Sequence, residues 1–356
     1  MSYRVLHLVD HLNENCGMSL STINMITPLR KTGFEGEILS GPGSAFNRAR
    51  NNEIKVSELA NFSKSKTPAN LFSLARQIHR YLKDNDIDII HAHHRLLGLV
   101  GWAVARLNGI PIIHTDHNIL YGKKHTSYWG DSVITVSGTK NHLEDYFNID
   151  ENKILNCYEF TNLEGLWENE IDEPGQISTI GQLGRLAEQK GQKYLLDGFG
   201  MFLDGNDKSL QLAIKGGGPL KADLELQAAE LGIAENIEFV PTSDNIKSFF
   251  KEIDCFILSS IFEGTCMAVV EAAAYGLPII ATRVGAIPEY LEDGESAILI
   301  DSYSVEEIES GLQRMVALSA EERRQMAEKA RHSIQTKFDP DRQASKVSDE
   351  YKRILN

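Results

Sequence analysis

The sequence has 356 residues, a length that suits two domains of ordinary size better than one. Hydrophobic residues make up 42% and charged residues 24%, a balance that excludes a disordered or fibrous chain. The net charge of −14 falls entirely after residue 165, and neither half has the dense basic excess that a nucleic-acid partner requires.

Cysteine usage and hydropathy indicate the compartment. The four cysteines (Cys16, Cys157, Cys255 and Cys266) lie far apart without a C-x-x-C pair, which argues against a disulfide framework and a structural zinc site. The opening residues lack the apolar region and cleavage site of a signal peptide. The longest apolar stretch, residues 96–107, is too short to span a bilayer. We therefore expect a cytoplasmic protein.

Short β-branched runs alternate with amphipathic helical stretches over the first half of the chain. The predicted strands cover residues 4–9, 36–40, 87–91, 110–114 and 133–136, and the predicted helices cover residues 19–31, 68–83, 96–107 and 139–147. This alternation predicts a parallel sheet covered by helices on both faces. The rhythm stops over residues 151–175, which indicates an interdomain linker.

The alternation resumes after the linker. Predicted strands cover residues 178–183, 210–215, 237–240, 255–258, 279–281 and 297–300, and closing helices cover 305–318, 320–337 and 340–355. We predict two doubly wound α/β domains, residues 1–165 and 166–339, with a last helix over 340–356 that returns to the first domain. Ligands bind such sheets at the carboxyl ends of their strands, so the active site is expected in a cleft between facing domains.

The most informative segment is residues 260–282, SIFEGTCMAVVEAAAYGLPIIAT. Glu263 precedes a turn, and Glu271 follows about two helical turns into the next helix. The helix N-terminus between them suits a diphosphate, and carboxylates accept hydrogen bonds from sugar and ribose hydroxyls. A capped surface helix with two solvated glutamates is the alternative, and the pair alone does not decide between them.

The wider pattern resembles glycosyltransferase family 4, the retaining enzymes of the GT-B fold. That family shows two glutamates at this spacing, followed by a small-residue helix, Gly-x-Pro and a buried strand. Residues 181–191 (GQLGRLAEQKG), 213–219 (AIKGGGP) and 285–289 (GAIPE) resemble its other motifs in the same order. The resemblance is continuous from about residue 177 onward. Over residues 1–165 it is weaker and rests on the opening strand, the strand-final histidines and residues 136–137.

Two cations follow the first strand of the second domain. Arg185 and Lys190 lie between Gly184 and Gly191, and together they could neutralise a nucleotide diphosphate without a metal. The alternative is a surface loop with solvated bases. The resemblance implies that Glu263 holds the transferred sugar. It also implies a nucleotide site, whose residues are Glu271 on the ribose, Gly264, Thr265, Cys266 and Met267 at the helix start, and Gly217 and Gly218 in the glycine turn.

In the first domain the resemblance implies that Gly17, in the turn after the opening strand, approaches the donor or acceptor. It also implies that His117 contacts the donor sugar or lines the catalytic pocket, with His93 and Asp116 beside it. Histidines at strand ends could bind a metal, but packed or hydrogen-bonded histidines are commoner, and we predict no metal site. The D-x-D sequence over 86–88 begins a strand, opposite the ligand-binding end, and is interpreted as structural.

The resemblance implies a metal-independent retaining glycosyltransferase without a cofactor. Its donor would be a UDP-sugar, or alternatively a GDP-sugar, and its acceptor a glycan, a lipid-linked glycan or a small molecule. A UDP-sugar epimerase of the same fold and a silent nucleotide-sugar-binding subunit are the alternatives. Basic pairs at 48 and 50, 64 and 66, and 123 and 124 could steer the first domain toward an anionic membrane, although solvated surface loops are the commoner explanation of such pairs.

Cys266 stands where the family usually has glycine. We place it in the first turn of the helix after Glu263, where the helix dipole favours a reactive thiolate that bound UDP would protect. A buried, inert cysteine is the competing interpretation.

Overall fold

A computed structural model describes residues 2–14, 16–117, 128–135, 140–168, 171, 175–205, 209–242 and 245–356. Residues 136–137 and the basic pair at 123 and 124, which the sequence singled out, lie outside this part of the chain. The chain divides into two compact units, one formed by Met1–Asn162 with Phe338–Asn356 and the other by Leu163–Lys337. We call them unit 1 and unit 2.

Unit 1 contains a seven-stranded parallel sheet in the order β3-β2-β1-β4-β5-β6-β7. Its strands are β1 (Tyr3–Val9), β2 (Phe34–Ser40), β3 (Lys55–Glu58), β4 (Ile89–Ala92), β5 (Ile112–Asp116), β6 (Ser132–Thr135) and β7 (Ile154–Asn156). Its helices are α1 (Gly17–Lys31), α2 (Phe46–Asn51), α3 (Pro68–Asp84), α4 (Arg95–Asn108) and α5 (Lys140–Asp145), followed at the end of the chain by α13 (Pro340–Leu355).

The sequence pattern missed β3, β7 and α2. Both missed strands lie at the edges of the sheet, and none of their residues is buried, so the apolar run that marks a central strand is absent. The predicted linker therefore begins too early, because residues 154–156 pair with β6 inside unit 1. The final helix α13 also belongs to unit 1, where Ala344, Val347 and Tyr351 pack in one apolar cluster with strand residues such as Val5 and Ile89.

Unit 2 contains a six-stranded parallel sheet in the order β10-β9-β8-β11-β12-β13. Its strands are β8 (Thr179–Leu183), β9 (Gln211–Lys215), β10 (Ile237–Val240), β11 (Cys255–Leu258), β12 (Ile279–Thr282) and β13 (Ile298–Ile300). Its helices are α6 (Gln192–Gly205), α7 (Lys221–Glu230), α8 (Ile246–Lys251), α9 (Met267–Tyr275), α10 (Ile287–Tyr290), α11 (Val305–Ala317) and α12 (Ala320–Lys337).

The fold class predicted from the sequence is confirmed: each unit is a parallel sheet with helices, of the doubly wound type. In both sheets the strand order reverses once, between β1 and β4 in unit 1 and between β8 and β11 in unit 2. The place where the order reverses is the switch point of the sheet. The loops after the two strands there run to opposite sides of the sheet, which leaves a crevice beyond the carboxyl ends of the strands. Among the described residues, no helix is both long and apolar enough to cross a membrane.

Candidate active site

In unit 2 the loops that follow β8 and β11 meet at the switch point. The Lys190 Nζ donates to Glu263 Oε1 at 2.5 Å, and the Ser260 hydroxyl donates to the same oxygen at 2.6 Å. Glu263 is 6% exposed, so its negative charge is held by these two donors rather than by water. Two residues that the sequence placed in one site, 73 positions apart, are thus in direct contact.

Backbone contacts hold the two loops together. The Ile261 N–H donates to the Gln189 carbonyl at 2.8 Å, and the Ser259 hydroxyl donates to the Lys190 carbonyl at 3.0 Å. Gly191 has a φ of +63°, and a Cβ there would lie 2.1 Å from the Ser259 carbonyl oxygen. Only glycine allows this approach, so Gly191 fixes where the Lys190 side chain begins.

Electrostatics favour the charged form of Lys190. Burial lowers its pKa, but Cys266 and the Glu263 carboxylate raise it, and the resulting pKa lies above the ordinary lysine value. Because the Cys266 thiol is itself held neutral, Glu263 is the partner that matters at neutral pH. The site therefore keeps a fixed ammonium group at the carboxyl end of the sheet.

Arg185 lies in the same loop as Lys190 and is exposed. Its charge lowers the pKa of Lys190, which shows that the two cations are close enough to repel each other. Within the described part of the chain, the Arg185 guanidinium has no ion pair or side-chain hydrogen bond, while its carbonyl accepts from Gln192 at 3.0 Å. An unpaired guanidinium beside a paired ammonium is available to an incoming anion.

Glu271 lies in the middle of α9, partly buried, and its carboxyl group makes no hydrogen bond or ion pair with any described residue. Burial raises its pKa to about 7, so the carboxyl group titrates near neutral pH. A carboxylate desolvated without a compensating partner destabilises the fold, and such residues cluster at functional sites. The two glutamates therefore differ in their hydrogen bonding: the Glu263 carboxylate has two donors, whereas the Glu271 carboxyl group has none among the described residues.

The start of α9 differs from the expectation for Cys266. This cysteine is the residue before the helix rather than within its first turn, and it is 6% exposed. Burial and the Glu263 charge raise the pKa of its thiol, so the inert interpretation holds and the reactive one is wrong. Its backbone has a φ of +57°, a conformation that glycine adopts without strain, which accounts for the glycine usual at this position in the family.

We expect alkylation of the native protein to begin at Cys16, which is partly exposed, and to be about tenfold or more slower at Cys266. Cys157 and Cys255 are buried, and burial raises the pKa of Cys157 to about 12. They should match Cys266, and all four should react at similar rates in denaturant. Peptide mapping after mild alkylation measures the order; fast native labelling of Cys266 would contradict this burial.

The remaining predicted residues of unit 2 lie in the same group of loops. Gly264 accepts at its carbonyl from the Ala286 N–H at 3.0 Å, and the buried Thr265 carbonyl accepts from the Tyr290 hydroxyl at 2.6 Å. Met267 is the first residue of α9.

The two glycines of the turn after β9 differ in their surroundings. A Cβ at Gly218 would lie 2.2 Å from the Leu186 carbonyl oxygen, so loop packing explains this glycine. At Gly217 a Cβ would meet only Thr242, at 3.2 Å, so Gly217 has the more open surroundings.

In unit 1, His117 lies in a row of buried side chains. Its Nδ1 is 3.1 Å from Glu159 Oε1, and its Nε2 is 3.1 Å from His93 Nδ1. His93 Nε2 is in turn 3.0 Å from His7 Nδ1. Both ring nitrogens of His117 are engaged and its side chain is 4% exposed, so a contact between His117 and a sugar stays a prediction. The sequence pattern missed Glu159, because it lies in the segment interpreted as a linker.

The same end of the unit 1 sheet carries a second buried carboxylate that the sequence reasoning missed. Asp10 directly follows β1, and its carboxylate is 2.6 Å from Lys64 Nζ and 2.8 Å from His11 Nδ1. Burial raises the pKa of Asp10, but Lys64, His94 and His11 together hold it below the ordinary value. The sequence could have indicated Asp10 as a site residue, because it directly follows the opening strand, at the switch point of the sheet.

Two other predicted residues occupy this end of the unit. Gly17 begins α1, exposed, with no atom near the position of a Cβ. Asp116 ends β5, where the Tyr128 hydroxyl donates to it at 2.5 Å and burial raises its pKa. At the opposite end, Asp88 Oδ2 accepts from the Arg4 N–H at 2.7 Å, a structural contact.

Among the described residues, His7, His91 and His93 are the group whose nitrogens come close enough to suggest a metal site. His91 uses both nitrogens, on the Tyr351 hydroxyl and the Thr115 hydroxyl, each at 2.6 Å. The His7 and His93 ring centroids are 5.3 Å apart with nitrogens 3.0 Å apart, so the rings meet end to end. Their lone-pair directions oppose each other instead of converging on an ion, and the arrangement fits a hydrogen bond.

The basic pairs suggested for membrane contact are partly neutralised. Arg48 donates to Glu14 at 2.6 Å, and Lys64 pairs with Asp10 as described above. Arg50 donates to Asn47 at 3.4 Å. The membrane contact itself stays a prediction.

Comparison with known proteins gives a consistent family. The model for Glycosyltransferase Family 4 matches residues 16–158, and the model for glycosyl transferases group 1 matches residues 166–333. A D-inositol 3-phosphate glycosyltransferase of Corynebacterium glutamicum is 25% identical over 344 residues, covering 82% of this chain and 81% of the relative.

Solved structures agree on the fold. A glycosyltransferase from Rickettsia africae superposes with a TM-score of 0.85 at 19% identity, covering 100% of this chain and 99% of its own. HepE from Anabaena, solved in complex with UDP and glucose, superposes with a TM-score of 0.81 at 16% identity, covering 99% and 100%. The chain is therefore a glycosyltransferase of the GT-B fold and belongs to family 4.

Proposed function

We propose that this glycosyltransferase moves a sugar from a UDP-sugar to an acceptor hydroxyl with retention of the anomeric configuration. Unit 2 would bind the donor and unit 1 the acceptor. The observation that carries the proposal is the Lys190–Glu263 pair at the switch point of unit 2. Arg185 adds a cation in the same loop as Lys190, and Glu271 adds a carboxyl group in the helix that follows Glu263. A diphosphate and the hydroxyls of a sugar and a ribose are the groups that these side chains complement.

In the proposed reaction the bond from the anomeric carbon to the diphosphate oxygen breaks, and negative charge builds on the departing diphosphate. Arg185, Lys190 and the N–H groups at the start of α9 stabilise that charge where it develops, in place of a metal. The acceptor oxygen bonds to the anomeric carbon from the face that the diphosphate leaves. Its proton passes to a diphosphate oxygen, so no side chain acts as a covalent nucleophile.

The nucleotide and the acceptor are inferred from the related proteins. HepE was solved with UDP-glucose as well as with UDP, which favours uridine over guanosine in the donor. Relatives are named for transfer to D-inositol 3-phosphate, a small phosphorylated polyol. We propose an acceptor with a free hydroxyl, which can be a glycan, a lipid-linked glycan or a small polyol.

The donor is tested first by thermal shift with UDP-glucose, UDP-galactose, UDP-N-acetylglucosamine and GDP-mannose. The stabilising donor is then incubated with and without D-inositol 3-phosphate and short glycans. The products are separated by chromatography and identified by mass spectrometry and proton NMR, whose coupling constants give the anomeric configuration and distinguish epimers. Release of UDP with a glycosylated acceptor of unchanged anomeric configuration supports the proposal. A new UDP-sugar formed without acceptor would instead show an epimerase, and binding without any product would show a silent subunit.

The Glu271 carboxyl group should make donor binding pH-dependent. With a pKa of about 7, it is mostly ionised at pH 8 and mostly protonated at pH 6. The ionised form accepts both ribose hydroxyls, so UDP-glucose should bind roughly tenfold more weakly at pH 6 than at pH 8. UDP-glucose is the suitable probe because its diphosphate does not titrate in this range. Calorimetry across the two pH values measures the effect.

The matched control is Glu271→Gln, which has nearly the same shape and cannot titrate. Its affinity for UDP-glucose should be lower than that of the wild type at pH 8 and equal at pH 6 and pH 8. A wild-type affinity that is also independent of pH would remove Glu271 from the ribose site.

The same substitution should stabilise the free protein at high pH. Raising the pKa of Glu271 from 4.5 to about 7 destabilises the folded state, because the unfolded chain releases this proton more readily. The penalty is absent below pH 4.5, grows between the two pKa values, and reaches about 3 kcal/mol above pH 7. Glu271→Gln should therefore raise the free energy of unfolding at pH 8 and leave it unchanged near pH 4.5. Urea titrations at the two pH values decide this.

A further inference from the structure

The buried row Glu159–His117–His93–His7 crosses the carboxyl-end region of the unit 1 sheet. Its members come from four places in the fold, respectively after β7, after β5, after β4 and on β1. The three distances along it are 3.1, 3.1 and 3.0 Å. We call these four side chains the histidine relay.

The rings of the relay meet end to end. The His93 and His117 centroids are 5.3 Å apart with nitrogens at 3.1 Å, and the His7–His93 pair has nearly the same geometry. Nitrogens of facing rings therefore point at each other along a line, which is the geometry of N–H···N hydrogen bonds. His91 lies against the face of His93, with centroids 4.3 Å apart, and its own nitrogens are bonded outside the relay.

The carboxylate at one end sets the direction of every bond. An ionised carboxylate only accepts, so His117 donates from Nδ1–H to Glu159. A neutral imidazole has one N–H, which makes His117 Nε2 an acceptor for His93 Nδ1–H. By the same reasoning, His93 Nε2 accepts from His7 Nδ1–H. The last nitrogen, His7 Nε2, is left as a lone pair, and it is buried without a hydrogen-bond partner among the described residues.

Burial favours neutral rings at His7 and His93 over imidazolium ions. His7 is 0% exposed and His93 is 3% exposed. Burial lowers the pKa of His7 to about 3 and that of His93 well below its ordinary value, the latter with the help of neighbouring histidines. The bond from His117 to the carboxylate is charge-assisted and therefore stronger than the bond from His93 to His117.

We propose that Glu159 and His93 are positioning residues that hold His117 as a neutral Nδ1–H tautomer, with its Nε2 lone pair as the basic nitrogen. The functional part rests on the proposed sugar transfer. A substrate hydroxyl that reaches His117 then donates to Nε2 in place of His93, the weaker of the two bonds. The ring thus recognises hydroxyl donors and repels an approaching carbonyl or phosphate oxygen.

The tautomer is measured directly on the wild-type protein, labelled with ¹⁵N-histidine, by long-range ¹H–¹⁵N NMR at pH 7.5. Variants that each lack one histidine assign the signals to individual residues. His117, His93 and His7 should all show the Nδ1–H pattern. An Nε2–H tautomer or an imidazolium at His117 would overturn the proposal before any functional variant is made.

The functional variant is Glu159→Gln, whose amide can donate as well as accept and so no longer selects a tautomer. We expect a mixed tautomer at His117 and a kcat for sugar transfer about 10- to 100-fold lower, the range for outer groups that orient histidines. UDP affinity by calorimetry should stay unchanged, and Glu159→Asp should recover the tautomer and part of kcat. Glu350→Gln makes the same chemical change in unit 1, beside Arg353, and should alter neither readout.

The outcomes separate this inference from the proposed function. If the protein shows the Nδ1–H tautomers but transfers no sugar, the hydrogen-bond arrangement of the relay is supported and the proposed function is refuted. Active wild-type protein whose Glu159→Gln variant has mixed tautomers but normal kcat would refute the positioning role. If Glu159→Gln does not fold, Glu159→Asp carries the kinetic comparison. Its shorter side chain holds the carboxylate farther from His117, so kcat should fall in part while the Nδ1–H tautomer persists. A wild-type kcat in this variant would then refute the positioning role.

Discussion

Replacement of Lys190 by alanine is expected to lower kcat for sugar transfer about 100- to 1,000-fold, the usual cost of removing one preorganised charge-stabilising donor. The pKa of Lys190 lies above the ordinary lysine value although the Arg185 guanidinium nearby lowers it, so the ammonium group is charged at neutral pH. Steady-state rates of UDP release measure the loss. Lys193→Ala is the matched control, because Lys193 is exposed and close to Lys190 in the chain, and among the described residues its ammonium group pairs only with Glu188, at 3.4 Å.

The same substitution also affects stability, contrary to what an exposed loop lysine would do. Lys190 is only 19% exposed at its side chain, and without it the buried Glu263 carboxylate loses its cation. An unpaired buried carboxylate destabilises a fold by about 2–5 kcal/mol. The double variant Lys190→Ala/Glu263→Gln removes that charge, so it should recover most of the unfolding free energy but none of the lost kcat. Recovery of both would place the effect of Lys190 in folding.

Unit 1 is expected to unfold near pH 5 while unit 2 stays folded. Four buried histidines carry the effect, because burial lowers the pKa of His7 to about 3 and of His114 to about 4, and those of His91 and His93 well below 6.5. Below pH 6.5 these histidines bind protons in the unfolded chain but stay neutral in the folded unit, so protonation favours unfolding. At pH 5 His7 and His114 therefore each destabilise unit 1 by about 2 kcal/mol, and the buried His91 and His93 act in the same direction.

His7 and His114 alone thus remove about 4 kcal/mol, a large part of the roughly 5–15 kcal/mol by which an ordinary domain is stable. Ten of the eleven histidines lie in the first half of the chain, and unit 2 has only His332. Hydrogen exchange resolved by peptide should show β1 and β4 losing protection between pH 6 and pH 5, with β8 and β11 still protected. In His7→Asn, the free energy of unfolding should fall less steeply as the pH is lowered, because unfolding then takes up about one proton fewer. Simultaneous loss in both units, or full protection of β1 at pH 4.5, would contradict this assignment.

The local pattern of the chain was sufficient to predict the architecture and to select the residues of the proposed donor site. Short β-branched runs between amphipathic helices predicted two parallel α/β sheets, because strands covered by helices on both faces read as continuous apolar runs. Spacing and turn residues placed Arg185, Lys190 and Glu263 in loops at the carboxyl ends of strands, and Glu271 in the helix that follows Glu263. These are properties of short segments, and a sequence displays them directly. Edge strands β3 and β7 escaped because a strand that buries no side chain leaves no such pattern.

Only the tertiary structure decided what those side chains do to each other. The pairing of Lys190 with Glu263 and the burial of Cys266 depend on loops far apart in the chain, as does the pKa of Glu271. The histidine relay depends on four such segments, one of which the sequence pattern assigned to a linker. Burial and electrostatic coupling act through space, and the free energy of desolvating a charge is set by neighbours that no local spacing encodes.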